Sequence, residues 1–246
     1  MEYSALYRYY DDLMKDYPYG DILSFCLDAL KDTGAKTGFE FACGTGRLTA
    51  ALAERGYEMT ATDLSLDMLN LAVRRTQGIK PAVRLLSADV NRPEFLKKYD
   101  FVVSFTDGFN YVSSVERFDA LLKKTAAALN TGGLLIFDMS TVFKAEHVLS
   151  EQLFFEDGEE LTVFWQNTKY GGNKIGMELT FFEKRGETYI RSDEKNTQYF
   201  YTAETVEGLL KKNGFGCRIL DGTTFKGFTD RSERIIVLAR KLKVES

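Results

Sequence analysis

Apolar residues recur along this chain with two different periods. Between residues 3 and 14, Leu6, Tyr10, Leu13 and Met14 share one side of a predicted helix. Pro18-Tyr19-Gly20 breaks it, and a second amphipathic helix carries Ile22, Leu23, Cys26, Leu27 and Leu30 before stopping at Gly34. Short apolar strands then alternate with helices. Strands are predicted over 37–42, 57–62, 83–87 and 101–105, with helices over 47–55, 66–77 and 115–129 between or after them. Gly132-Gly133 turns into an apolar strand over 134–138. Strands that are apolar on both faces and separated by helices predict an α/β fold with a doubly wound, mostly parallel sheet.

The rhythm changes after residue 150. From 153 to about 201 there are long β-type runs, over 161–165, 177–182 and 188–191, separated by Gly171-Gly172-Asn173 and Arg185-Gly186-Glu187. Such turns predict hairpins. The acidic run 156–160 reads as a solvated turn. A helix over 203–213 and strands over 217–221 and 234–240 resume the α/β pattern, the last strand antiparallel. The expected organisation is one domain from 1–150 and 202–246, with 1–34 as a lid, and an inserted antiparallel β meander over 151–201.

Composition narrows the function classes. A net charge of −4 weighs against a general nucleic-acid or membrane-surface binder. No apolar run approaches the length of a bilayer span, and the N-terminus lacks signal-peptide features, so a cytoplasmic protein is expected. Cys26, Cys43 and Cys217 are scattered, and His147 is the single histidine. No metal site and no histidine-based nucleophilic machinery is expected from these.

The candidate chemistry lies where the first strand meets its helix. Gly44 and Gly46 let the backbone pass close to a ligand, and the helix after them aims free N–H groups at the turn. Asp63 ends the next strand, where a carboxylate can accept hydrogen bonds from ribose hydroxyls. A nicotinamide-type pocket uses the same parts, but its fingerprint wants a third glycine where this chain has Thr49.

The run Glu40-Phe41-Ala42-Cys43-Gly44-Thr45-Gly46, then Asp63, Ser87-Ala88-Asp89-Val90, Tyr99 to Phe105 and Gly132-Gly133-Leu134-Leu135-Ile136 resembles, in that order, the motifs of class I S-adenosylmethionine-dependent methyltransferases. The resemblance covers most of the chain from Gly38 to Asp138. It implies S-adenosylmethionine as cofactor, with Ala42, Gly44, Thr45 and Gly46 beside its methionine and ribose parts and Glu40 beneath the turn. Asp63 would hold the ribose, Leu64 and Met68 the adenine face, Asp89 and Val90 the adenine edge, and Phe105 the methionine end. Read singly, Asp63 and Asp89 also suit helix caps, and Met68 and Phe105 suit the core.

The activated methyl group leaves mainly proximity and orientation to the protein, so no catalytic set can be named. A small-molecule nitrogen or oxygen nucleophile is the expected acceptor. An RNA acceptor and a non-catalytic binder are the alternatives. Candidates near the acceptor come from the tyrosine-rich first helix (Tyr3, Tyr7, Tyr9, Tyr10, Asp11) and the turn after strand four, above all Tyr10, Asp107 and Asn110. The Tyr10-Asp11-x-Leu13-Met14 start resembles that of a small bacterial subgroup with an insertion after strand five. In that insertion Trp165, Arg191 and Tyr199 are further candidates. Trp165 also suits core packing, and Arg191 a surface position.

Overall fold

A computed structural model describes residues 6–243; Tyr3 lies outside them. Two helices lead, α1 (Leu6–Leu13) and α2 (Tyr19–Leu30). They are followed by β1 (Thr37–Glu40), α3 (Arg47–Ala53), β2 (Glu58–Asp63), α4 (Leu66–Thr76), β3 (Arg84–Ser87), β4 (Tyr99–Ser104), α5 (Val115–Ala128) and β5 (Leu129–Ser140). A short helix α6 (Val142–Lys144) leads to β6 (Leu153–Asp157), β7 (Leu161–Lys169), β8 (Lys174–Arg185) and β9 (Thr188–Tyr199). The chain closes with α7 (Ala203–Lys212), β10 (Phe215–Asp221) and β11 (Arg234–Lys241).

Seven strands form one sheet in the order β10-β11-β5-β4-β1-β2-β3. β1 to β5 pair in parallel, while β11 runs antiparallel to both β5 and β10. The alternation along each strand explains the two layers. Val102, Leu135, Phe137 and Val237 face Phe118, Leu121 and Leu122 of α5 and Val206 and Leu210 of α7. Phe101, Val103, Leu134 and Ile136 face Ile22 and Cys26 of α2 and Leu48 and Leu52 of α3 on the other side. Every one of these strand residues is nearly or fully buried, which is why the strands read as unbroken apolar runs. The order of strands reverses between β1 and β4, and open α/β sheets bind ligands in the crevice outside the carboxyl ends at such a point.

Two sequence expectations shift. Gly132 keeps its positive φ (+77°), but it lies inside β5, which runs straight on from α5 and slips register against β4 between Tyr99 and Phe101. The expected turn is therefore a bulge. The insertion gains a fourth strand, β6, all of whose residues are exposed. The antiparallel order β6-β7-β8-β9 has the two expected hairpin turns. Its inner face is held by Ala145, Leu149, Ile175, Met177 and Phe200 at one end, and by Val163 and Phe181 against Leu6 and Leu13 of α1 at the other. No helix among the described residues is long and apolar enough to cross a membrane.

Candidate active site

The glycine turn is built from left-handed residues: Ala42, Gly44 and Gly46 have φ of +49°, +53° and +76°. A Cβ on Gly46 would stand 2.9 Å from the Cβ of Ala72, so this glycine lets α3 start against α4. Asp63 holds the turn from β2: its Oδ2 accepts from Gly44 N–H (2.8 Å) and its Oδ1 from Ser65 N–H (2.9 Å). Burial raises the Asp63 pKa, and these N–H groups pull against the rise. The cap of α4 is Ser65, whose hydroxyl accepts from Met68 N–H. Asp63 is thus spared that structural task.

A cavity of about 370 Å³ opens beside this turn. Ala42, Asp63 and Leu64 line it from the glycine turn and the end of β2, Asp89, Val90 and Asn91 from the segment after β3, and Gly108 from the turn after β4. The Asp89 side chain accepts from Asn91 N–H at 2.8 Å, bending the chain after β3 around the cavity. Lys195, Thr197 and Tyr199 of β9 complete the wall. The inserted sheet therefore reaches this chamber as well, a role assigned to Tyr199 only for the acceptor side in the sequence. Glu40 lies buried below, accepting from the Thr49 hydroxyl. The residue in place of a third glycine is thus a hydrogen-bond donor to the strand-end acid. Burial drives Glu40 to a pKa of about 8, with the Thr49 bond opposing and the Asp63 charge adding to the rise. Met68 and Phe105 are buried, Phe105 in the core beside α2 and α3, and neither lines the cavity.

A second cavity, about 330 Å³, lies between α1, the end of β4 and the inserted sheet. Tyr111 borders both chambers. Tyr10 lies over the glycine turn, its ring 3.6 Å from where a Gly44 Cβ would be, and its hydroxyl bonds Thr106 at 3.3 Å. Desolvation pushes this phenol up to about 12. The neighbouring Asp11 takes the Thr45 hydroxyl (2.7 Å) and an ion pair from Arg75, which fastens α1 to the turn. Thr106 and Asp107 both have positive φ, +57° and +64°. Two left-handed non-glycine residues in succession mark a backbone that its surroundings hold in place. Gly108 follows because a Cβ there would meet Ser104 Oγ at 2.4 Å.

Asp107 belongs to a buried charge cluster absent from the sequence reading. Arg234, the first residue of β11, grips Asp107 with two bonds (2.8 and 3.0 Å) and also pairs with Asp138 of β5. Ser140 adds its N–H and hydroxyl to Asp107, each at 2.9 Å. Tyr17 donates to Asp138 at 2.7 Å. Burial would raise Asp107, but Arg234, Lys144 and Ser140 outweigh it and hold the carboxyl below its ordinary value. Burial raises Asp138. A charged residue opening the apolar run Ile235 to Ala239 was the one sequence signal for Arg234.

Asn110 is placed differently from its expected role near the acceptor. It is fully buried and lines neither chamber. Its amide donates to Ser140 O (3.1 Å) and Tyr199 O (3.0 Å) and accepts from Ser140 N–H (2.9 Å). Those bonds join the ends of β5 and β9. Trp165 lines the second cavity, whereas Arg191 pairs with Asp193 on an exposed face and lines neither chamber.

Residues 39–133 match a family model described as a methyltransferase domain. The chain is similar to the candidate methyltransferase YqeM of Bacillus subtilis (strain 168), with 30% identity over 246 residues covering 99% of this chain and 98% of the relative. It superposes on a S-adenosylmethionine-dependent methyltransferase from Clostridium acetobutylicum ATCC 824 with TM-score 0.86, 28% identity and 96% of each chain covered. The S-adenosylmethionine-bound amino pentose methyltransferase CalS10 from Micromonospora echinaspora shares the fold at TM-score 0.76 and 18% identity, with 98% of each chain covered. With the glycine turn and the strand-end acids set at the switch point of the sheet, the chain belongs to the S-adenosylmethionine-dependent methyltransferases.

Proposed function

We propose that the protein methylates a nitrogen or oxygen nucleophile on a small molecule held in the 330 Å³ cavity, with the cofactor in the 370 Å³ cavity. The observation that carries this reading is the pair of chambers meeting at Tyr111, one lined by Asp63 and Asp89, the other largely apolar and covered by α1 and the inserted sheet. The residues fit the cofactor: the left-handed turn offers close backbone approach, and Asp63 and Asp89 offer acceptors for ribose and adenine. The bound cofactor supplies an electrophilic methyl group. The protein's part is to orient the nucleophile and exclude water, for which Tyr10, Thr106 and the roof from the inserted sheet are placed.

Asp107 is a poor proton acceptor in this setting. Its carboxylate already takes four hydrogen bonds and is held below its ordinary pKa. The site therefore suits an acceptor that arrives with a free lone pair and loses its proton to water afterwards, such as a neutral amine.

The test is a screen for S-adenosylhomocysteine release against small amines and hydroxylated metabolites. Turnover of a member of the panel is expected. Methylation of RNA and of no small molecule would overturn the proposal. Calorimetry tests the cofactor's placement: Asp63→Ala is expected to weaken S-adenosylmethionine by about 10- to 100-fold, the range for charged hydrogen bonds. Unchanged affinity would remove Asp63 from the site.

A further inference from the structure

Lys144 is the cation of the second cavity, close enough to lower the pKa of Asp107 but joined to no carboxylate of the cluster by a direct ion pair. Among the described residues its ammonium makes no ion pair within 4.0 Å, and its hydrogen bond, to Ser140 Oγ, is long at 3.4 Å. The two carboxylates of the charge cluster are already served. Asp107 takes Arg234 and Ser140, and Asp138 takes Arg234, Tyr17 and the N–H of Asp107 (3.0 Å). The backbone at Lys144 is fixed, because Thr141 accepts from its N–H (3.2 Å) while donating to Ser232 O (2.6 Å). So a half-buried ammonium is held at the wall of a largely apolar cavity whose other charged lining residues are Asp107 and Glu156. Desolvation lowers its pKa, and the charges of Asp107, Glu233 and Asp138 offset only part of that.

On the reading that this cavity holds the methyl acceptor, we propose that Lys144 is an anion-binding residue and that the acceptor is a small amphipathic carboxylic acid. Its carboxylate would lie on Lys144 beside Ser140 and Gln198, and its apolar body against Trp165, Phe154 and Leu179. All of these line the cavity. Charge favours a monoanion. Arg234 holds Asp107 and Asp138, and the other carboxylate of the lining, Glu156, lies on the exposed strand β6. Lys144, the one lining cation among the described residues, therefore matches a single negative charge, while the second charge of a phosphate would meet no cation. Volume agrees: about 330 Å³ is at the lower end of the range of small-molecule sites, about 300–1,000 Å³.

Trp165 is the single tryptophan of the chain, so its fluorescence reports on this cavity alone. The protein, saturated with S-adenosylhomocysteine, is titrated with 3-phenylpropionate and phenylalanine, and in parallel with 3-phenylpropanamide and phenylalaninamide. The acids are expected to perturb the Trp165 emission with a Kd lower than that of their amides by about tenfold. Lys144→Met should abolish that preference and Lys144→Arg retain it, with S-adenosylhomocysteine affinity unchanged in both. Equal binding of acids and amides, binding of neither, or a preference that survives in Lys144→Met would overturn the proposal. Calorimetry on the same samples separates the two readings. A protein that binds S-adenosylhomocysteine without preferring acids loses the anion site and keeps the methyltransferase site. Acid preference in a protein that methylates no small molecule keeps the anion site and removes the acceptor reading.

Discussion

Glu40 and Asp63 end neighbouring parallel strands, yet their surroundings treat them oppositely. Asp63 accepts backbone N–H groups from Gly44 and Ser65, whereas Glu40, buried, receives among the described residues the hydroxyl of Thr49 alone. Burial therefore prevails at Glu40 and lifts its pKa from 4.5 to about 8. An acid whose folded pKa lies above its unfolded one stabilises the fold fully below the unfolded value. That contribution is lost as pH rises through the folded value. Glu40→Gln keeps an acceptor for Thr49 and cannot ionise. Its stability relative to the wild type, and its Tm with it, is expected to climb between about pH 5 and pH 9, the free-energy difference growing by on the order of a few kcal/mol at about 1.4 kcal/mol per pKa unit. A parallel pair of Tm–pH curves would refute this account. The residue types at these positions were legible in the sequence. That Ser65, not Asp63, caps α4 was not, because both residues are ordinary cap formers and only the geometry separates them.

At the level of elements, α1 depends on what it touches. A helix of 8 residues is unstable alone. Here Leu6 and Leu13 pack on the inserted sheet, Tyr10 covers Gly44, and Asp11 reaches Thr45 and Arg75. The Asp11–Arg75 pair is partly exposed, so it adds little to global stability, about 0–1 kcal/mol. Asp11→Ala is accordingly expected to shift Tm by no more than about 4 °C while accelerating amide exchange over Leu6–Leu13 several-fold. Unaltered exchange would mean that the polar contacts do not hold the helix. The periodicity of 3.6 made most helices readable to within a residue or two. β6 went unread as a strand because it is solvent-exposed throughout and acidic at its end; only its pairing with β7 makes it one.

Across the whole molecule, the two sheets are joined where β5 and β9 end. Asn110 spends its buried amide there on Ser140 and Tyr199. Asn110→Ala would leave buried carbonyls unsatisfied, at a cost of about 2–4 kcal/mol, and lower Tm by about 5–15 °C in calorimetry. A shift within about 1 °C would show that the joint is held elsewhere. The inserted sheet contributes to both chambers, through Trp165 and Gln198 in one and Thr197 and Tyr199 in the other. Acceptor choice and cofactor enclosure thus share one structural element.

The amino-acid sequence alone determined the alternation of strands and helices, the glycine turn and the acids at the strand ends. Each of these is written within a few consecutive residues, in a period of 2 or 3.6 or in the needs of a tight turn. The tertiary structure decided which distant residues share a chamber. Arg234 meets Asp107 across 127 positions because β11 runs antiparallel beside β5 and sets Arg234 opposite Ser140. Lys144 faces the apolar wall because the inserted sheet folds back over the end of β5. Such meetings follow from strand order and sheet placement, which arise from the packing of the whole chain and leave no local pattern to read.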